Sequence, residues 1–152
     1  MNTNADLNVR LLQPSDHAEW LRLREALWPS QSDAQNADEM AEILANFAQM
    51  PAIVAQRPEG GLCGFVEVAI HNEARGCMTN QIGYLEAWYV DPEWRQKGVG
   101  RALVEAAEEW ARAQGCTEMA SDTMEDYPLS PAAHAQLGYE EVARDIYFRK
   151  EL

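Results

Sequence analysis

Basic residues are scarce in this sequence: 12 Lys plus Arg stand against 25 Asp plus Glu among 152 residues, a formal net charge of -13. A chain so acidic repels phosphate backbones and anionic lipid, which argues against nucleic-acid and membrane-surface partners and favours a cationic small molecule. Cysteine is scarce too. Cys63, Cys77 and Cys116 form an odd set with no C-x-x-C spacing, so neither a disulfide framework nor a zinc site has support, and reduced, mostly buried thiols are expected. No apolar run approaches the roughly 18 residues that cross a bilayer. Met1 to Asn8 carries neither a basic n-region nor an apolar h-segment, so the expected compartment is cytoplasmic. Repeats and low-complexity segments are also missing. What remains is an ordinary globular composition, 47% hydrophobic with nine Gly and seven Pro, at a length that predicts a single domain over 1–152.

Periodicity supplies the element order. Val9 to Leu12 reads as a strand, and Ser15 or Asp16 can cap a helix whose Trp20, Leu23, Leu27 and Trp28 recur at helical spacing until Pro29. A second helix carries Met40, Ile43, Leu44 and Phe47 and ends before Pro51. Ala52–Gln56 and Leu62–Ile70 flank Arg57-Pro58-Glu59-Gly60-Gly61 and predict a hairpin, followed by a polar connection over His71–Asn80. Gln81–Val90 reads as a buried central strand closed by Asp91-Pro92. Val99–Gln114 repeats apolar residues as a helix does and stops at Gly115. Cys116–Asp122 predicts a strand, Ser130-Pro131 the N-cap and first residue of a short helix ending at Gly138, and Glu141–Arg149 a final strand. Helices interspersed among hairpins predict an α/β mixed sheet, mostly antiparallel, with helices on both faces.

The most informative stretch joins the central strand to the Val99 helix: Asp91-Pro92-Glu93-Trp94-Arg95-Gln96-Lys97-Gly98-Val99-Gly100-Arg101. Gly98 and Gly100 remove Cβ atoms where a ligand must approach the main chain. The helix start adds partial positive charge, and Arg95, Lys97 and Arg101 form a dense basic cluster in an acidic protein. These features describe an anion site suited to a pyrophosphate; the plainer reading is a tight strand-to-helix turn with solvated charges. The turn lacks the G-K-[ST] ending of a Walker A loop and the third glycine of a dinucleotide fingerprint.

Strand, Val-Asp-Pro, then R-x-x-G-x-G opening a long helix resembles the acetyl-coenzyme A motif of the GCN5-related N-acetyltransferases, whose element order matches nearly the whole chain. The resemblance implies that fold, and it implies pyrophosphate binding by the amides of Gln96, Lys97, Gly98, Val99, Gly100 and Arg101, with Arg95 beside them. Trp88, Tyr89 and Val90, on a strand that splays from its neighbour, would hydrogen-bond the pantetheine. His134 falls where many members carry a tyrosine that protonates the departing thiolate; as a bare residue it reads as a hydrogen-bonded structural histidine.

More dispersed pieces resemble one subgroup, the aminoglycoside 6'-N-acetyltransferases: Leu27-Trp28-Pro29, Gly64-Phe65-Val66-Glu67-Val68-Ala69, Gly83 to Val90, Ala120-Ser121-Asp122, and His134 followed by Leu137-Gly138-Tyr139-Glu140-Glu141. By that resemblance Trp28 lines the drug pocket, Glu86 and Asp122 contact its amines, and one of the two accepts the reactive proton. The implied reaction is direct transfer from acetyl-coenzyme A in a ternary complex, with no metal and no acetyl-enzyme, and with antibiotic resistance as its consequence. The chemistry is coherent, because an aliphatic amine with a pKa of roughly 8 to 10 arrives as ammonium and must lose a proton before it attacks a thioester.

Read without the resemblance, Glu86 would be an edge or arginine-paired acid, Trp28 a core residue and Glu67 a solvated one. Strand alternation would put Glu86 and Trp88 on one face, and a bulge between them would reverse that. The sequence also departs from the subgroup: Met124-Glu125-Asp126-Tyr127 stands where an asparagine often follows the drug-binding aspartate, and Ala143 replaces an acid. Two other readings stay open, acetylation of a polyamine or protein amine and a non-catalytic acyl-coenzyme A-binding module. A homodimer is expected, with Ile146 and Phe148 of the last strand contributing.

Overall fold

The computed structural model describes residues 7–152. Five strands, β1 (Asn8–Leu11), β2 (Ala52–Gln56), β3 (Leu62–His71), β4 (Ile82–Val90) and β5 (Glu118–Ser121), form one sheet in the order β1-β2-β3-β4-β5. The first four are antiparallel to their neighbours and β4 pairs parallel with β5. Among the described residues there are four α-helices, α1 (His17–Leu27), α2 (Asp33–Ala45), α3 (Val99–Ala113) and α4 (Ser130–Gln136). Among the described residues no helix is long and apolar enough to cross a membrane.

The sheet is buried on both faces, as its near-continuous apolar strands require. On one face Val99, Leu103, Val104 and Ala107 of α3 pack against Val66, Val68, Leu85 and Val90. On the other, Trp20 and Leu23 of α1 and Met40 and Ile43 of α2 pack against Val54, Phe65 and Ala87. Each of the larger side chains so buried contributes about 1.5–3 kcal/mol. The ends of α1 and α2 follow local chemistry: the Ser32 hydroxyl accepts from the Gln35 amide at the start of α2, while α1 stops at Trp28 before Pro29.

Four expectations need correction. A 3-10 turn, Pro14–Asp16, precedes α1, and the Asp16 carboxylate serves that turn, accepting from the Gln13 amide and pairing with Arg10, rather than capping the helix. The Arg10 guanidinium holds the Asp16 carboxyl below the usual carboxylate range. Leu129, not Ser130, occupies the N-cap of α4, and Ser130 is spent on His134. β3 runs one residue further than its apolar pattern, to His71. Glu141–Arg149 forms no strand, since it pairs with no other strand among the described residues, and Ile146, Tyr147 and Phe148 are exposed.

Position 86 decides the geometry of β4. Glu67 pairs with Ala87 and Val68 with Leu85, so Glu86 is an extra residue without a partner on β3, a β-bulge. Leu85 and Trp88 consequently face α3, while Ala87 and Tyr89 face α1 and α2. The alternation that would place Glu86 beside Trp88 is broken. Past Leu85, β4 also loses β5, whose pairing covers only Ile82–Leu85, so Glu86–Val90 carries an unpaired edge.

Candidate active site

The turn after β4 is held from behind. Asp91 is buried and accepts from both terminal nitrogens of Arg22 at 3.1 and 3.0 Å and from Arg57 at 3.2 Å, while its amide donates to the Cys63 carbonyl. From that anchor the chain passes through Gln96 at φ +60° and Gly98 at φ +84°, the left-handed region that lets it double back into α3. Among the described residues, none of the amides from Gln96 to Arg101 makes a hydrogen bond to a protein acceptor, whereas the Ala102 amide already donates to Gly98. A row of free N–H groups at a helix start is an anion cradle. Gly100 is compact for a second reason: a Cβ there would lie 3.2 Å from the Trp88 ring. The Trp88 Nε1–H is buried and has no acceptor among the described residues. Arg95 is turned back, donating through Nε to the Val90 carbonyl and lying over the Tyr89 ring; Lys97 lies over Trp94 and Arg101 donates to the Gln136 carbonyl.

The other side of β4 is acidic. Glu39 and Glu42 of α2, Glu67 of β3 and Glu86 line a cleft of about 250 Å³ together with Arg24 and Met50. Glu67 is buried rather than solvated: Arg24 grips both its oxygens at 2.5 and 2.7 Å and Trp20 Nε1 donates at 2.9 Å. Arg24 also reaches Glu39 and donates to Asn36 Oδ1, and its guanidinium lies 4.8 Å above the Trp28 ring. Trp28 therefore already stacks on a cation, at the end of α1 where Tyr127 donates to the Leu27 carbonyl. Asp122, just past β5, accepts from the Tyr84 hydroxyl, and Glu86 pairs with His71 Nε2. Burial, then the Asp122 carboxylate, pushes the Tyr84 phenol well above its ordinary value, which keeps it a donor. Tyr84 and Glu86 stand two residues apart with Leu85 turned to α3 between them, so the two carboxylates are brought to one neighbourhood.

A free-amide turn continuous with an open-edged strand, opposite two carboxylates, offers one place for an anion and another for a cation. Residues 20–139 match the model of the acetyltransferase (GNAT) family. The chain belongs to that family. Aminoglycoside N(6')-acetyltransferase type 1 of Klebsiella aerogenes is 43% identical over 146 residues, covering 95% of this chain and 96% of that protein. Its namesake from Stenotrophomonas maltophilia is 39% identical over 145 residues, 95% and 93% of the two chains. Among solved structures, AAC(6')-Iy in complex with the bisubstrate analog CoA-S-monomethyl-acetylneamine superposes with a TM-score of 0.86 at 32% identity, covering 96% of this chain and 99% of that one. AAC(6')-Ih from Acinetobacter baumannii gives 0.85 at 33% identity, covering 96% and 99%.

In this acetyltransferase His134 packs its ring edge-on against Trp88 and Tyr139, at centroid distances of 5.2 and 5.8 Å. Its Nδ1 lies 2.8 Å from the Ser130 carbonyl and so carries the proton; Nε2 accepts from the Ser121 hydroxyl at 2.8 Å. Both nitrogens are thus engaged within the protein. Burial pushes the Cys63 thiol up to about 11 and raises Cys116 and Cys77 as well, which suits none of them to nucleophilic attack. Three participants escape a linear reading. Arg24 meets Glu67 across 43 residues, Asp91 meets Arg22 across 69, and His71 sits where the polar pattern suggests a loop. The one signal for His71 is the polar pair Tyr84 and Glu86 at strand spacing, which needs a polar neighbour on the same face.

Proposed function

We propose that this chain, as one catalytic domain, transfers the acetyl group of acetyl-coenzyme A to the 6'-amine of aminoglycosides. The observation that carries the reading is the opposition across β4 of a turn lined by free backbone N–H groups and an anionic cleft, which suits one anionic and one polycationic ligand. The residues present fit the coenzyme: free amides from Gln96 to Arg101 would hold the pyrophosphate, the open edge of β4 at Trp88 and Tyr89 would pair with the pantetheine, and the orphan Trp88 Nε1–H awaits an acceptor. The Val90 carbonyl, already taken by Arg95, has the smaller role. When bound, acetyl-coenzyme A supplies the thioester on which the amine acts.

The protein's own work is on the amine. Glu39, Glu42 and Glu86 offer negative charge along the cleft to the several ammonium groups of the drug, and Asp122 and Glu86 stand near the end of the parallel β4–β5 pair, where the strands diverge. One of these two receives the ammonium proton, so that the nitrogen lone pair is free to attack; Asp122, at a strand end open to solvent, is the better placed to pass it on. Trp28 shapes the edge of the pocket through Arg24. Neutralising one amine by acetylation weakens the drug's attraction to anionic targets, so expression of the chain should lower susceptibility to aminoglycosides.

We infer a homodimer in the same way. Val142, Ile146, Tyr147 and Phe148 lie 60–92% exposed in a segment of strand-type composition that pairs with no strand among the described residues. A second copy offers identical complementarity. Sedimentation should give twice the chain mass, and Ile146→Asp with Phe148→Asp should give the monomer; a monomeric wild type contradicts the inference.

The activity is tested by thiol release from acetyl-coenzyme A against aminoglycosides, polyamines and peptides. Saturable release with aminoglycosides far above the other amines is expected; preference for spermidine or a peptide assigns a different substrate, and no release with any amine assigns a binding module.

A further inference from the structure

His71 ends β3 and faces β4, where its ring lies flat on Tyr84, with centroids 4.2 Å apart and planes within 12°. From there Nε2 meets Glu86, while the Tyr84 hydroxyl donates to Asp122. These contacts make a continuous chain, Glu86–His71–Tyr84–Asp122, running through both carboxylates assigned to the amine. Among the described residues no other side chain hydrogen-bonds or ion-pairs with the Glu86 carboxylate. Glu86 sits on a bulge, without a cross-strand partner, and its side chain is 37% exposed. A glutamate in that position has three free torsions and little to fix them. The remaining charged or titratable groups facing this cluster are Arg24, Glu39, Glu42 and Glu67, which line the same cleft as Glu86, and Tyr147 of the C-terminal segment, which acts on Tyr84.

We propose that His71 is a positioning residue, aiming Glu86 through Nε2 and coupling it to Asp122 through the stack on Tyr84. The two carboxylates then act as one preset pair rather than as independent acids. This rests on the assignment of Glu86 and Asp122 to the amine made above. It accounts for the flat stack: the imidazole needs the Tyr84 ring as a platform to place Nε2 two residues further along β4. It also gives Glu86 a support that the bulge withholds, since the bulge leaves it without a cross-strand partner on β3.

A double-mutant cycle with two readouts tests it. His71→Phe keeps a ring on Tyr84 and removes the donor; His71→Gln keeps an amide N–H in reach of Glu86. His71→Phe should lower kcat/KM for the aminoglycoside by about tenfold, with KM for acetyl-coenzyme A unchanged, and His71→Gln should recover to within about threefold of wild type. In a Glu86→Gln background His71→Phe should be nearly silent. Equal losses from His71→Phe in both backgrounds, or none in either, overturn the proposal. If the Phe variant does not fold, His71→Asn, too short to reach Glu86, replaces it. The second readout needs no substrate: imidazole ¹⁵N shifts of His71, assigned against His71→Gln, should show a protonated Nε2 that changes on Glu86→Gln. An unchanged spectrum overturns the pairing itself. Wild type inactive on aminoglycosides but with the ¹⁵N response intact removes the substrate assignment and leaves the pairing standing; a normal wild type with an additive cycle removes only the role of His71.

Discussion

The two sides of β4 are built from different materials. The side proposed for the coenzyme is main chain: amides from Gln96 to Arg101, two glycines and an unpaired strand edge, with Arg95 folded back onto the Val90 carbonyl. The side proposed for the amine is side chain: Glu39, Glu42, Glu67, Glu86 and Asp122, each held by a partner distant in sequence or left open in the cleft. A backbone cradle depends on conformation and tolerates changes in nearby charges. A side-chain wall depends on its charges and on the residues that prop them. A given substitution should therefore damage one ligand and spare the other.

The largest effect is expected on the amine side. Asp122→Asn and Glu86→Gln keep shape and remove charge and basicity. The variant that has lost the proton acceptor should lose about 10²- to 10⁴-fold in turnover, and the one that has lost only a binding contact nearer tenfold, both with near-normal acetyl-coenzyme A affinity. Asp122 is expected to show the larger loss in steady-state kinetics.

Next is the prop beneath the wall. Arg24→Met leaves the Glu67 carboxylate buried without its cation, and urea unfolding should show a loss of about 3–5 kcal/mol; adding Glu67→Gln should restore part of it. On the coenzyme side, Gly100→Val drives a branched Cβ into Trp88 and Gly98→Val forces a branched residue to φ +84°; each should weaken acetyl-coenzyme A binding by about tenfold or more in calorimetry. Lys97→Ala, which removes a side chain already lying over Trp94, should stay within about threefold. The smallest effect separates the two sides by salt. Raising ionic strength from low to physiological should raise KM for the aminoglycoside a few-fold, and the acetyl-coenzyme A value should not follow it, since its site is built from amides.

The same difference explains what a reader of the sequence can see. Asp91-Pro92 and Gly98-x-Gly100 are contiguous, and their conformational demands are local, so the turn and the helix it opens are legible residue by residue. Both helices flanking Pro29 and the hairpin around Gly60-Gly61 are legible for the same reason. The bulge at Glu86 is not, because an extra residue in a strand shows only in the register of its partner. Glu67 looks solvated until Arg24 and Trp20 arrive from another element, and His71 looks like loop until Glu86 and Tyr84 stand opposite it. Glu141–Arg149 has the composition of a strand and no strand to pair with, which no local pattern reports.

The central claim is that this site directs acetyl to one amine of the drug. The direct measurement compares two aminoglycosides that differ only at the 6'-position, one an amine and the other a hydroxyl, by thiol release and by NMR of the product. The account predicts release with the first, acetylated at the 6'-nitrogen, and little with the second; equal release with both, or acetylation at another nitrogen of the first, would contradict it.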